Sequence, residues 1–149
     1  MVGIGERRAK LRAEPHSLHL SLMSASDFHL EAIRARCAVW PGVTDGFPFD
    51  EKTLVFKVGG KLFALADTDH FDAINLKCDP ERAAELRAMY AGIRPGWHMN
   101  KVHWNTVEVR SDVPVPLLWE LLAHSYFLVA SGLPARDRRA LFPEGLPTP

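Results

Sequence analysis

Cysteine is scarce in this chain, with two in 149 residues. Cys37 and Cys78 lie far apart and form no CxxC. Nothing in that spacing asks for a disulfide framework, and the pair reads as reduced, buried thiols of a cytoplasmic protein. No apolar run approaches the roughly 18 residues a membrane-spanning helix needs. The stretch "MVGIGERRAKLRAEPHS" carries charge but no apolar segment, so it does not read as a secretory signal. No GxGxxG opens a helix after a strand and no GxxxxGK[ST] is present, which leaves nucleotide binding by those routes unsupported. There is no GxSxG and no cysteine framed as a protease nucleophile, so no enzymatic activity is expected. His98 and His103 stand five apart with no Cys, Asp or Glu between them. A zinc site takes three or four compatible ligands, so neither a metal nor a cofactor is expected.

Net charge is also lacking: 18 Lys and Arg balance 18 Asp and Glu. The balance is uneven along the chain. Arg7, Arg8, Lys10 and Arg12 against Glu6 give the first twelve residues 4 − 1 = +3. From Asp27 onward 14 basic residues face 16 acidic ones, a charge of 14 − 16 = −2. A body of that charge argues against tight, sequence-independent binding to nucleic acid, which depends on neutralising phosphates, but allows a local basic patch.

What is present is the composition of an ordinary globular protein, 47% hydrophobic and 24% charged, at a length that suits one domain. Residues 1–25 read as a basic, flexible extension, 26–142 as a single domain and 143–149 as a tail. Met23, followed by a serine-rich cap, is a candidate alternative start. A first helix is expected from Ser26 or Asp27, with Phe28, Ala32, Ala35 and Val39 at helical spacing and Ile33 and Cys37 widening the stripe. Pro41 and Gly42 end it, and "WPGVTDGFPF" reads as turns.

"TLVFKV" and "KLFALA" flank Gly59-Gly60, the pattern of a two-residue hairpin whose turn takes positive φ twice. The register that follows pairs Val58 with Lys61, Phe56 with Phe63 and Leu54 with Leu65. Lys57 falls on the opposite face. "DAINLKC" alternates as a third strand, with Asn75 and Lys77 on the polar side. Asp79-Pro80 starts a second helix: Asp caps it and Pro sits where no N–H is needed. "NTVEVR" is a fourth strand. A third helix follows Pro116, with Leu117, Leu118, Leu121, Leu122, Ser125 and Val129 on one face, and "LPARDRRALF" adds a short final turn. The order is α-β-β-β-α-β-α. Consecutive strands without crossover helices predict an α+β fold: an antiparallel β-meander with helices packed on one face.

The chemistry concentrates in "GWHMNKVHWNT", Gly96 to Thr106. Lys and Asn donate to phosphates or base edges, and Trp stacks on bases. Alternation places Lys57 with Asn75 and Lys77 on one face; if that is the face the helices leave open, it carries two cations and an amide. Trp97, His98, Asn100 and Lys101 lie at the entry to the neighbouring strand. The bland alternative is that Trp104 and Met99 plug the end of the sheet while Asn100 and Asn105 bond local backbone.

The strings "WPGVT", "PFDEKTLVFKVGGKLFAL", "INLKCDPE" and "PGWHMNKVHWNTV" closely resemble the MmcQ/YjbR family, from about Asp27 to about Leu141. That resemblance implies a CyaY-like, double-wing fold and a role in binding DNA. The matching positions are Phe49, Lys57, Gly59, Gly60, Lys61, Asn75, Lys77, His98, Asn100, Lys101, Trp104 and Asn105, and the resemblance implies contacts for the polar ones. Frataxin-type iron proteins share this fold but carry an acidic ridge. Here Asp27 and Glu31 are offset by Arg34 and Arg36, so iron donation is disfavoured. The expected function is a cytoplasmic, monomeric DNA-binding protein that contacts nucleic acid through Lys57, Lys61, Asn75, Lys77, Trp97, His98, Asn100, Lys101, Trp104 and Asn105. The alternative is a non-enzymatic domain that binds a small ligand or a protein beside the same loop.

Overall fold

The computed structural model describes residues 27–147, so the basic extension, the candidate start at Met23 and the proposed Ser26 cap lie outside the described residues. Helix α1 spans Leu30–Ala38, and its cap is His29, whose Nδ1 accepts the N–H of Ala32 at 3.2 Å. The first helix therefore starts later than expected, and its buried face turns with it. Ile33 and Cys37 are fully buried, as is Phe28 just before the helix, whereas Val39 is 79% exposed.

Strands β1 (Val43–Gly46), β2 (Thr53–Val58), β3 (Lys61–Asp67) and β4 (Ala73–Lys77) follow as an antiparallel meander. β1 was read as part of a turn: it is four residues long, and Gly and Pro surround it. Helix α2 (Pro80–Met89) begins as the sequence predicts, with the Asp79 carboxylate accepting from Arg82 N–H at 3.1 Å. β5 (Ile93–Pro95) and β6 (Trp104–Glu108) form a second hairpin around the eight-residue loop that begins at Gly96. The sheet order is β1-β2-β3-β4-β6-β5, so β6 inserts between β4 and β5 and the meander stops at β4. Helices α3 (Val115–Ser131) and α4 (Ala135–Leu141) close the fold. The sequence reading lacked β1 and β5 and gave only a turn for α4.

Among the described residues the helices lie on one side of a six-stranded sheet. The core there joins Ile33 and Cys37 of α1, Ala83 and Leu86 of α2, and Leu118, Leu122 and Tyr126 of α3 to Leu54, Phe56, Ala64, Ile74, Leu76 and Val107 of the sheet. Aromatic rings fill its centre: Phe63 meets Tyr126 edge-on with centroids 5.5 Å apart.

The hairpin register differs from the alternation reading. Val58 pairs with Lys61 and Lys57 with Leu62, but Phe56 pairs with Ala64, Val55 with Leu65 and Leu54 with Ala66. Phe63 is the extra residue of a β-bulge, and beyond it every β3 side chain changes face. Ala64 and Ala66 thereby point to the helices, and Leu65 to the open side. The bulge is held from below. Ser125 of α3 donates its hydroxyl to the Phe63 carbonyl at 2.6 Å and accepts the Lys77 N–H at 2.9 Å. One serine replaces the ladder bonds lost where β3 and β4 part.

Candidate functional site

The face opposite the described helices is defined by one row of paired residues. Gly46 pairs with Val55, Val55 with Leu65, Leu65 with Asn75, Asn75 with Thr106 and Thr106 with Arg94. Paired residues point the same way, so this row and its second neighbours along each strand share the face away from the helices. Lys57 and Lys77 are therefore on the open side with Asn75, as alternation predicts. Among the described residues, neither lysine forms an ion pair. Both are half-buried. Lys61 is exposed at the tip of the β2–β3 turn, away from that row.

Several residues of Gly96–Thr106 hold the loop together. The Asn100 side-chain oxygen accepts the N–H groups of Val102 and His103 at 2.9 and 3.2 Å, closing a local turn. Lys101 Nζ reaches back to the Gly96 carbonyl at 2.9 Å. Gly96 itself lies so close to Trp104 that a Cβ there would stand 2.7 Å from the Trp104 Cβ. Trp104 belongs to the open face by its pairing with Lys77, yet it is buried under this loop. Asn105 faces the other way. It is 2% exposed on the helix side, and its oxygen accepts Arg87 Nε at 2.6 Å. Arg87 also bonds the carbonyls of Lys101 and Trp104, so one guanidinium from α2 clamps the loop from beneath. The structure thus does not bring Asn105 together with Asn75.

Trp97 and His98 stay outside. Trp97 is 68% exposed and its ring centroid lies 4.1 Å from that of His98, with the planes tilted by 53°. His98 adopts φ 59°, a left-handed conformation uncommon for a side chain of its size. The Trp97 N–H donates to Thr106 Oγ1 at 2.9 Å, and the Thr106 hydroxyl donates in turn to Asn75 Oδ1. This relay runs from the loop across β6 to β4.

Beneath Trp97 the open face sinks into a cleft of about 230 Å³. Its wall includes Asn75, Thr106, Leu65, Asp67, His70 and Arg94. Arg94 forms an ion pair with Glu108, and Asp72 forms one with Arg110 at 2.6 Å. The sequence reading did not assign Arg94, Asp67 or Thr106 to the site. Arg94 lies on a strand too short to read, and Asp67 changes face with the bulge. Thr106 was legible by alternation from Trp104. A second hollow, about 300 Å³, lies at the β1 side between Lys57, Val55, Phe47 and Pro48. Phe47 and Phe49 are both exposed near it.

The two cysteines are buried in the core on the helix side. Burial pushes the Cys37 thiol up to about 12 and the Cys78 thiol to about 11, so both are protonated at neutral pH. Among the described residues no group of three or more His, Cys, Asp or Glu is placed to hold a metal ion, and no helix is long and apolar enough to cross a membrane.

An α+β domain whose described helices pack on one sheet face, with polar and aromatic groups gathered on the other, is the class these features define. The YjbR family model matches residues 38–128, and the chain belongs to that family. It is 39% identical over 98 residues to the uncharacterized protein YbdF of Escherichia coli O157:H7, a match covering 65% of this chain and 80% of that one. It is 33% identical over 106 residues to the uncharacterized protein YjbR of Escherichia coli strain K12, covering 70% and 90%. Among solved structures, Deinococcus radiodurans DR2400, described as a DUF419 domain, matches with a TM-score of 0.72 and 42% identity over 78% of this chain and 90% of that one.

Proposed function

We propose that this domain is a cytoplasmic, non-enzymatic module that binds DNA across the sheet face opposite its helices. The observation that carries this reading is the pair Lys57 and Lys77: two half-buried cations on the face opposite the helices, without acidic partners among the described residues. Trp97 at one side and Phe47, in the hollow beside Lys57, at the other supply exposed rings on which bases stack. Phosphate contact by two lysines gives a shallow dependence on salt, in keeping with a body of charge −2.

The experiment is fluorescence anisotropy of labelled duplex and single-stranded DNA across a salt series. Lys57→Ala and Lys77→Ala should each weaken binding and reduce the slope of log K against log salt by about one unit. A salt-independent signal, or one that neither substitution changes, overturns the reading. The cleft beside Asn75 favours a second reading, a small polar ligand. Thermal stabilisation by a metabolite, with no response to DNA, would select it.

A further inference from the structure

We infer that DNA is held at one end of the sheet, where Lys61 of the β2–β3 turn and Arg136 and Arg139 of α4 add phosphate contacts to those of Lys57 and Lys77; this rests on the nucleic-acid reading of the face opposite the helices. Three observations converge on it. The first is which cations are free. Of the 14 Lys and Arg residues from Asp27 onward, Lys57, Lys61, Lys77, Arg136 and Arg139 have no side-chain partner among the described residues. The others are engaged with carboxylates, backbone carbonyls or an indole ring. A cation held by a carboxylate must give up that partner before it neutralises a phosphate, so the free ones contribute most to binding DNA.

The second is where the free cations sit. β2 runs toward the Gly59-Gly60 turn, β3 runs away from it, and β4 returns, with Leu76 paired to Ala64 and Ile74 to Ala66. Lys57, Lys61 and Lys77 therefore share the turn end of the sheet. α4 abuts the same turn. A Cβ at Gly59 would stand 2.8 Å from a methyl carbon of Leu133, two residues before α4, and a hollow of about 270 Å³ is walled by Gly59, Asp137, Ala140 and Leu141. Arg136 and Arg139 are the chain neighbours of Asp137 and Ala140. They stand three apart, so they share one side of the helix, and both are exposed. Asp137 is outnumbered on α4 by Arg136, Arg138 and Arg139.

The third is the charge at the opposite end. Asp50 accepts the Thr53 N–H at the start of β2, Asp67 pairs with Thr53 and Glu108 with Ala73, and Asp69 and Asp72 lie between β3 and β4. Lys52, Arg94 and Arg110 offset three of these five acids through ion pairs. The sheet thus has free cations at the turn end and surplus carboxylates at the other, a gradient hidden in a body charge of −2. A polyanion is steered to the turn end.

The test is anisotropy of labelled duplex DNA across a salt series, with the full chain. Lys61→Ala should lower the slope of log K against log salt by about 0.9, and Arg136→Ala combined with Arg139→Ala by about 1.8. Arg136 and Arg139 are exposed and bond nothing among the described residues, so the double variant should keep the wild-type circular dichroism. Lys52→Ala removes the same charge from the opposite end and should leave the slope unchanged. A slope that the double variant leaves intact while Lys57→Ala lowers it overturns this inference and leaves the DNA reading standing. An equal fall with Lys52→Ala also overturns it, since net charge rather than place would then govern binding. A slope lowered by the double variant but by neither Lys57→Ala nor Lys77→Ala supports the α4 contact and sinks the sheet-face reading. No binding at about 50 mM salt, where phosphate contacts are strong, overturns both.

Discussion

Ser125 lies directly beneath the β-bulge, its hydroxyl shared between the Phe63 carbonyl and the Lys77 amide. Both backbone groups are inside the fold, and water does not replace the serine there. Ser125→Ala should cost about 2–4 kcal/mol, the sum of two buried groups left unpaired. Urea unfolding followed by circular dichroism measures it. A loss under about 0.5 kcal/mol would mean that the strands re-pair without the bulge.

Arg87 makes three bonds to the underside of the Trp97 loop. Lysine carries the same charge but not the forked geometry. Arg87→Lys should retain the far-ultraviolet spectrum while amide exchange of residues 100–105 accelerates at least tenfold. Unchanged exchange would show that Lys101 and Asn100 hold the loop unaided.

Asp112 accepts the N–H groups of Gly92 and Ala91, each at 2.8 Å, and these bonds hold its carboxyl below the usual carboxylate range. The folded-state value lies below the unfolded value of about 3.9. Its contribution is therefore complete above that value and fades as pH falls through the folded one. Asp112→Asn should lower the melting temperature at pH 7, and the gap to wild type should narrow below about pH 4. A gap that is constant from pH 7 to pH 3 contradicts this assignment.

Cys37 and Cys78 are sealed within the core, with thiols raised well above neutrality. A thiol reagent at pH 7.5 should label neither in the native state and both in urea. Fast native labelling would mean the core opens locally around α1 or the start of α2.

Elements with a strong local signal were readable from the sequence. Gly59-Gly60 between two apolar runs marked the first hairpin, Asp79-Pro80 marked the start of α2, and the leucines and Ser125 marked the buried face of α3. What escaped was set by tertiary contact. β1 and β5 are four and three residues long and exist because β2 and β6 pair with them. The bulge at Phe63 has no local marker, since it depends on a serine 62 residues away. It put Leu65 and Ala64 on the wrong faces in the alternation reading, and Asp67 went unassigned. In the Trp97 loop the residue types suggested recognition, but several polar groups are spent on bonds within the protein. Asn100, Lys101 and Asn105 bond the protein itself, and Trp97, His98 and Asn75 remain toward the open side.

The two ends of the sheet bear on how such a protein stays dispersed. At one flank β5 is three residues long and ends in Pro95, which has no amide to offer an incoming chain. At the other, β1 is four residues long, and its Asp45 is tied to Arg34. Neither rim makes a good template for another copy to zip onto. Another copy is thereby denied edge-on pairing at the described rims, and neighbours are left to approach the sheet broadside.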